Sequence, residues 1–121
     1  MGSYKDLIVF KKAYSLAMDI LKATKSFPAE EKYSLTDQIR RSSRSVCVNI
    51  GEAYRRRTYP AHFVSKLTDS NAENTETGIW IQFSTDCKYL NDFEFKGFSE
   101  RCEEVGRILG YMIDHPEKFC R

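Results

Sequence analysis

Six arginines crowd one stretch, DQIRRSSRSVCVNIGEAYRRR, from Asp37 to Arg57. Arg40, Arg41 and Arg44 stand in its first half, and Arg55, Arg56 and Arg57 close it. A guanidinium group is permanently charged and presents a planar fork of donors that fits phosphate oxygens. Gathered on one face, such groups neutralise nucleic-acid phosphates; spread around a helix, they are solvated or meet carboxylates. The same stretch holds Gln38, Ser45, Asn49 and Glu52, polar side chains that need partners wherever they are buried. Other chemistry is sparse. His62 and His115 are isolated, and the chain has no H-E-x-x-H, glycine-rich phosphate loop or nucleophile motif. Glu52, Glu73 and His62 could meet across helices, but di-metal carboxylate bundles also require Glu-x-x-His pairs, which are absent here. Cys47, Cys87, Cys102 and Cys120 are far apart with no C-x-x-C pair, so they read as small apolar fillers or surface thiols. The expectation is a protein that is not an enzyme, with no metal site and no cofactor.

Charge is unevenly spread. Residues 1–66 hold 13 Lys and Arg against 6 Asp and Glu, a balance of +7, whereas residues 67–121 hold 6 against 11, a balance of −5. Such asymmetry suits a nucleic-acid face or a head-to-tail contact between subunits. No apolar run approaches the roughly 20 residues of a membrane span, so no membrane partner is expected. The start, MGSYKDLIVF, lacks a basic-then-apolar signal layout, and Asp6 breaks the myristoylation pattern. A cytoplasmic location is the expectation.

These residues are carried by helices. From Asp6 to Lys25, Leu7, Phe10, Tyr14, Ala17 and Leu21 recur at spacings of 3 and 4, and Val9, Ala13, Leu16 and Ile20 form a second row beside them. Two rows make an apolar face wider than one neighbour covers, which suits a core plus a further contact between subunits. Phe27-Pro28 ends that helix. A second is predicted from Tyr33 or Leu35 to about Arg56, and a third from Pro60 to about Leu90. The middle of the third, TDSNAENTETG, has almost no apolar residue, and periodicity alone would make it a loop. After Asn91-Asp92, a fourth helix carries Phe95, Phe98, Cys102, Val105, Leu109 and Met112, and His115-Pro116 stops it. Nothing reads as a strand. The 121 residues make one domain, 1–121, and the fold class is all-α: an antiparallel, up-down-up-down four-helix bundle.

At about 100° per residue, Leu35, Ile39, Ser43, Val46, Ile50 and Ala53 form the core seam of the second helix. Gln38, Ser42, Ser45, Asn49, Glu52 and Arg56 run beside it, while Arg40, Arg44 and Arg55 fall on the far side with Arg41 at the margin. The bordering row is expected to find partners among Ser70, Asn71, Glu73 and Asn74. A layer of Gln38, Ser45, Asn49, Glu52, Ser70, Glu73 and Asn74 would fix helix register or, alternatively, form a ligand site.

The segments YKDLIVFKKAYSLAMDIL and FPAEEKYSLTDQIRRSSRSVCVNIGEAYRR resemble the 23S rRNA intervening-sequence proteins, a bacterial four-helix-bundle family. Asp6, Leu7, Val9, Phe10 and Ala13 match its first motif. Phe27, Pro28, Glu31, Leu35, Gln38, Arg41, Ser45, Asn49, Ile50 and Glu52 match the second. Two features depart: Gly51 and Ala53 exchange the family's Ala and Gly, and Asp69 and Asn74 replace a Gly and a Leu. The resemblance implies that the polar third segment is helical. It also implies a fold like that of the diversity-generating retroelement accessory protein, assembly as a homopentamer, and a role in binding RNA or DNA. The expected function is a non-catalytic oligomeric scaffold that binds nucleic acid through Arg40, Arg41, Arg44, Arg55, Arg56 and Arg57. The alternative is a protein–protein interaction adaptor using the wide first-helix face or Trp80.

Overall fold

A computed structural model describes residues 2–121. Four helices account for the fold: α1 (Ile8–Ala23), α2 (Asp37–Arg55), α3 (Pro60–Asp86) and α4 (Asp92–Asp114). Short 3-10 turns flank α1, and a π turn at Lys32–Thr36 leads directly into α2. Pro60 stands in the first turn of α3, where its missing N–H costs nothing. Asn91 and Glu94 cap α4 reciprocally, each side chain accepting from the other's backbone N–H. The third helix stops at Asp86, short of Leu90, because Lys88 takes a left-handed φ of 69°. The Tyr89 and Leu90 N–H groups then turn back onto the Ser84 carbonyl.

Each helix lies against its neighbours in sequence, and α4 closes the bundle against α1. Side-chain pairs fix the directions. Lys12 meets Glu104 while Arg101 meets Asp19, so α1 and α4 run antiparallel. Ser42 meets Thr77, Ser70 reaches Val46, and Lys66 reaches Asn49, so α2 and α3 do too.

The core has two apolar parts. One gathers Val9, Ala13 and Ala17 with Val46, Ile50 and Ala53 of α2, Phe63 and Leu67 of α3, and Val105, Leu109 and Met112 of α4. The other gathers Leu16, Ile20, Phe27, Leu35, Ile39, Ile81, Leu90 and Cys102. Of the two rows expected on α1, the second is the core row. In the first row Tyr14 is 54% exposed and Phe10 is half-buried, so these two turn outward while Ala17 joins the core.

Between the two apolar parts lies a polar belt. Ser42, Ser43, Ser70, Asn74 and Thr77 are all buried there. On α3 the buried positions are Phe63, Leu67, Ser70, Asn74, Thr77, Ile81 and Ser84, an unbroken alternation of 4 and 3. The TDSNAENTETG segment is therefore a core-facing helix whose seam is occupied by hydroxyls and an amide. Each finds a partner. Ser70 donates to the Val46 carbonyl at 2.8 Å, and Asn74 Nδ2 donates to the Cys102 carbonyl at 2.8 Å. Asn74, where the resemblance expects Leu, thus faces α4 rather than α2. Gly106 makes room for it, since a Cβ there would stand 3.3 Å from Asn74 Nδ2. The belt encloses a void of only about 10 Å³, too small for any ligand larger than one water.

Candidate nucleic-acid interface

The arginines of α2 do not share one face. Arg40 and Arg41 are one residue apart yet reach opposite neighbours. Arg40 Nε donates to Thr24 Oγ1 at 2.8 Å, at the end of α1. Arg41 crosses to α3, where Nη1 meets Glu73 Oε2 at 3.2 Å and Nη2 pairs with Glu76. Arg40, expected on the outward row, and Arg41, expected at its margin, are thus each bonded to a neighbouring segment, and Arg41 stays exposed while it is paired. The carboxylates of Glu73 and Glu76 push the Arg41 pKa further up, chiefly through their hydrogen bonds. The pKa of Glu76 is held below the ordinary carboxylate value, first by the indole N–H of Trp80 and then by Arg41.

Arg44, Arg55 and Arg56 are exposed, and among the described residues no carboxylate lies within 4.0 Å of their charged groups. Arg57, just past the end of α2, donates from Nε to the Tyr54 carbonyl at 2.9 Å. Its guanidinium carbon lies 3.5 Å from the centre of the Tyr54 ring. That contact fixes the group and leaves its charge unneutralised.

Arg44, Arg55 and Arg57 stand at the margin of a groove of about 980 Å³ between the outer faces of α1 and α2, with Arg121 beside them. Its floor is apolar: Tyr4, Phe10, Tyr14 and Met18 from the first segment, and Val48 from α2. Val48 is 59% exposed and Met18 39%. Phe10 and Tyr14 lie nearly parallel, with ring centres 5.9 Å apart and 27° between planes. Tyr4 meets Phe10 edge-on at 4.9 Å. The sequence signalled this floor through the extra apolar row of α1; Val48 carried no signal, being one apolar residue among arginines. Among the described residues one side-chain carboxylate, Glu52, touches the groove, and it is paired to Lys66 at 3.0 Å.

The other residues singled out by the sequence lie elsewhere. Ser70 and Asn74 join the central belt, together with Ser42 and Thr77, whose oxygens are 2.8 Å apart. Gln38 stays at the rim, accepting from Arg41 at 3.3 Å. Ser45, Asn49 and Glu52 form an edge cluster instead: Asn49 Nδ2 donates to Ser45, and Lys66 donates to Asn49 Oδ1 at 3.3 Å. Glu73 is half-buried, with one oxygen on Arg41 and the other, Oε1, without a hydrogen-bond partner. The three suspected of a cross-helix acid site are not joined. Glu52 meets Lys66, Glu73 meets Arg41, and His62 lies beside Tyr59 with ring centres 5.5 Å apart and 40° between planes. Among the described residues no group of three or more His, Cys, Asp or Glu is placed to hold a metal ion, and no helix is long and apolar enough to cross a membrane. Burial raises the thiol pKa of Cys47 to about 11 and of Cys102 to about 12, so neither is a nucleophile at neutral pH.

Trp80 is half-buried against the second apolar cluster and leaves Ile79 and Phe83 exposed beside it on α3.

Comparison with known proteins agrees with this architecture. A solved structure from Bacteroides thetaiotaomicron VPI-5482, a protein of unknown function from the S23 ribosomal protein family, superposes with a TM-score of 0.80 at 26% identity. The match covers 88% of this chain and 96% of that one. No curated protein matches the chain. The family described as 23S rRNA-intervening sequence protein matches residues 5–111. With both the α1 and α2 motifs and the bundle itself inside that range, the chain belongs to the 23S rRNA-intervening sequence protein family.

Proposed function

We propose that the protein is a non-catalytic, oligomeric cytoplasmic scaffold that binds nucleic acid through the arginines at the end and outer face of α2. One observation carries this reading: Arg44, Arg55 and Arg57 line one groove with Arg56 next to them in sequence, and among the described residues no carboxylate lies within 4.0 Å of the four charged groups. Leaving cations unpaired on one side of a near-neutral protein (+2 overall) creates a local positive field where phosphates are stabilised. Assembly into a homopentamer would repeat that field around a ring and raise avidity without new contacts in each subunit.

The test is titration of nuclease-treated protein into labelled RNA and DNA at about 50 and about 200 mM salt. One phosphate for each of the four arginines gives roughly a 50- to 150-fold loss of affinity over that range. The Arg44→Glu, Arg55→Glu, Arg56→Glu variant should lose binding and keep its helical circular dichroism, because none of the three side chains bonds to another of the described residues. Unchanged affinity in that variant would overturn the proposal.

A second reading, an interaction adaptor that binds no nucleic acid, is favoured by Ile79 and Phe83, exposed at 51% and 53% one helical turn apart on α3. A stoichiometric protein partner that survives nuclease and is lost on Phe83→Ser would select it.

A further inference from the structure

Resting on the nucleic-acid reading above, we infer that the strand held in the α1–α2 groove is single, with its bases lying on the aromatic floor and its phosphates on the arginine margin. The groove is concave and its walls differ in chemistry. The cations stand at its edge, and the floor between them offers ring faces and apolar side chains. A duplex presents a sugar–phosphate ridge to such a surface and keeps its base faces stacked inside, so it could use the arginines but not the rings. A single strand has free base faces, and aromatic side chains within a cationic groove are the usual platform for them.

The details fit stacking. Tyr14 is 54% exposed, and its ring continues the plane direction of Phe10. Phe10 is in turn braced edge-on by Tyr4, and the Tyr4 ring lies against Gly51 of α2, so the platform is fixed to both helices. Val48 and Met18 add further apolar lining. Charge complementarity selects the occupant. The unpaired groups at the groove are cations, while Glu52, its one side-chain carboxylate among the described residues, already has Lys66.

The experiment compares anisotropy titrations of labelled single strands, RNA and DNA, each about 12 nucleotides long, with the duplexes of the same sequence at about 50 mM salt. Wild type, Tyr14→Ala, Tyr14→Phe and the triple arginine reversal are each measured, with molecular mass by light scattering. The expected result is tighter binding of single strands than of duplexes. Tyr14→Ala should weaken the single strand roughly 5- to 140-fold, the loss of one stacked base, and Tyr14→Phe should restore it. A preference for RNA or DNA identifies the natural strand. Duplex binding as tight as single-strand binding, or no effect of Tyr14→Ala while the arginine reversal abolishes binding, would overturn the single-strand inference and leave the arginine interface standing. Absence of binding to every probe would overturn both. A fall in mass on Tyr14→Ala would assign the floor to a second copy of the chain and overturn the inference.

Discussion

Replacing Ser42 with Ala and Thr77 with Val tests whether the central belt clasps α2 to α3. Both side chains are buried, and their oxygens lie 2.8 Å apart. Thr77 spends its single proton on the Glu73 carbonyl at 2.9 Å, so Ser42 is the donor within the pair. The two single variants therefore differ. Ser42→Ala removes a donor and leaves Thr77 bonded to Glu73, a net loss of one hydrogen bond, about 1 kcal/mol. Thr77→Val leaves the Ser42 proton with only the Ile39 carbonyl, 3.4 Å away, in a site without solvent. A poorly satisfied buried donor costs about 2 kcal/mol. The double variant removes both polar groups and keeps their shapes, so its cost should fall to about 1 kcal/mol. For a chain of 121 residues, an unfolding entropy near 2.1 cal/mol/K per residue converts each kcal/mol into about 4 °C of Tm. Thermal unfolding followed by circular dichroism should then show decreases of about 4, about 8 and about 4 °C. Additive losses near 12 °C would refute the coupled pair, as would single variants indistinguishable from wild type.

Three further outcomes follow from the same geometry. Asn74→Leu exchanges one hydrogen bond to Cys102, about 1 kcal/mol, for burial of an apolar side chain, about 2 kcal/mol. Because Gly106 leaves room, the denaturant midpoint should rise, and a fall would show that the amide sets the α3–α4 register. Lys88→Gly relieves the left-handed backbone at φ 69° and should raise Tm by about 2–4 °C; an unchanged or lower Tm would mean that the lysine is not strained. Glu76 titrates below its ordinary 4.5 because its charged form accepts from Trp80 and Arg41. A depressed folded-state value means the contribution to stability is present above the unfolded value and is lost as pH falls through the folded one. Fluorescence of Trp80, the sole tryptophan, should therefore change with a midpoint below pH 4.5, and Glu76→Gln should abolish the transition while leaving the neutral-pH fold intact.

How much of this was legible beforehand depended on which physical signal each element carried. The α2 seam, the α4 seam, the start of α4 after Asn91 and its stop before Pro116 follow from spacing and local chemistry, and the structure has them where spacing puts them. The middle of α3 escaped periodicity because hydrophobicity was the quantity being counted. Its seam keeps the right spacing but fills it with Ser70, Asn74 and Thr77. The inward-facing signal there is hydrogen-bonding capacity, and it becomes readable only once the facing carbonyls of Val46 and Cys102 are in place. The partners of Arg40 and Arg41 escaped the wheel for a related reason. A helical wheel gives the direction of a Cβ, whereas an arginine's charge sits at the end of a long, flexible stem that snorkels toward whatever partner is nearest. Arg40 and Arg41 found partners on α1 and α3, which no wheel of α2 contains. The cross-helix ion pairs then take up Lys12, Arg41, Lys66 and Arg101. What the fold leaves over is the informative set. Arg44, Arg55 and Arg57 line the aromatic groove without a carboxylate among the described residues within 4.0 Å, so their charge is left for water or for an anion from outside the bundle.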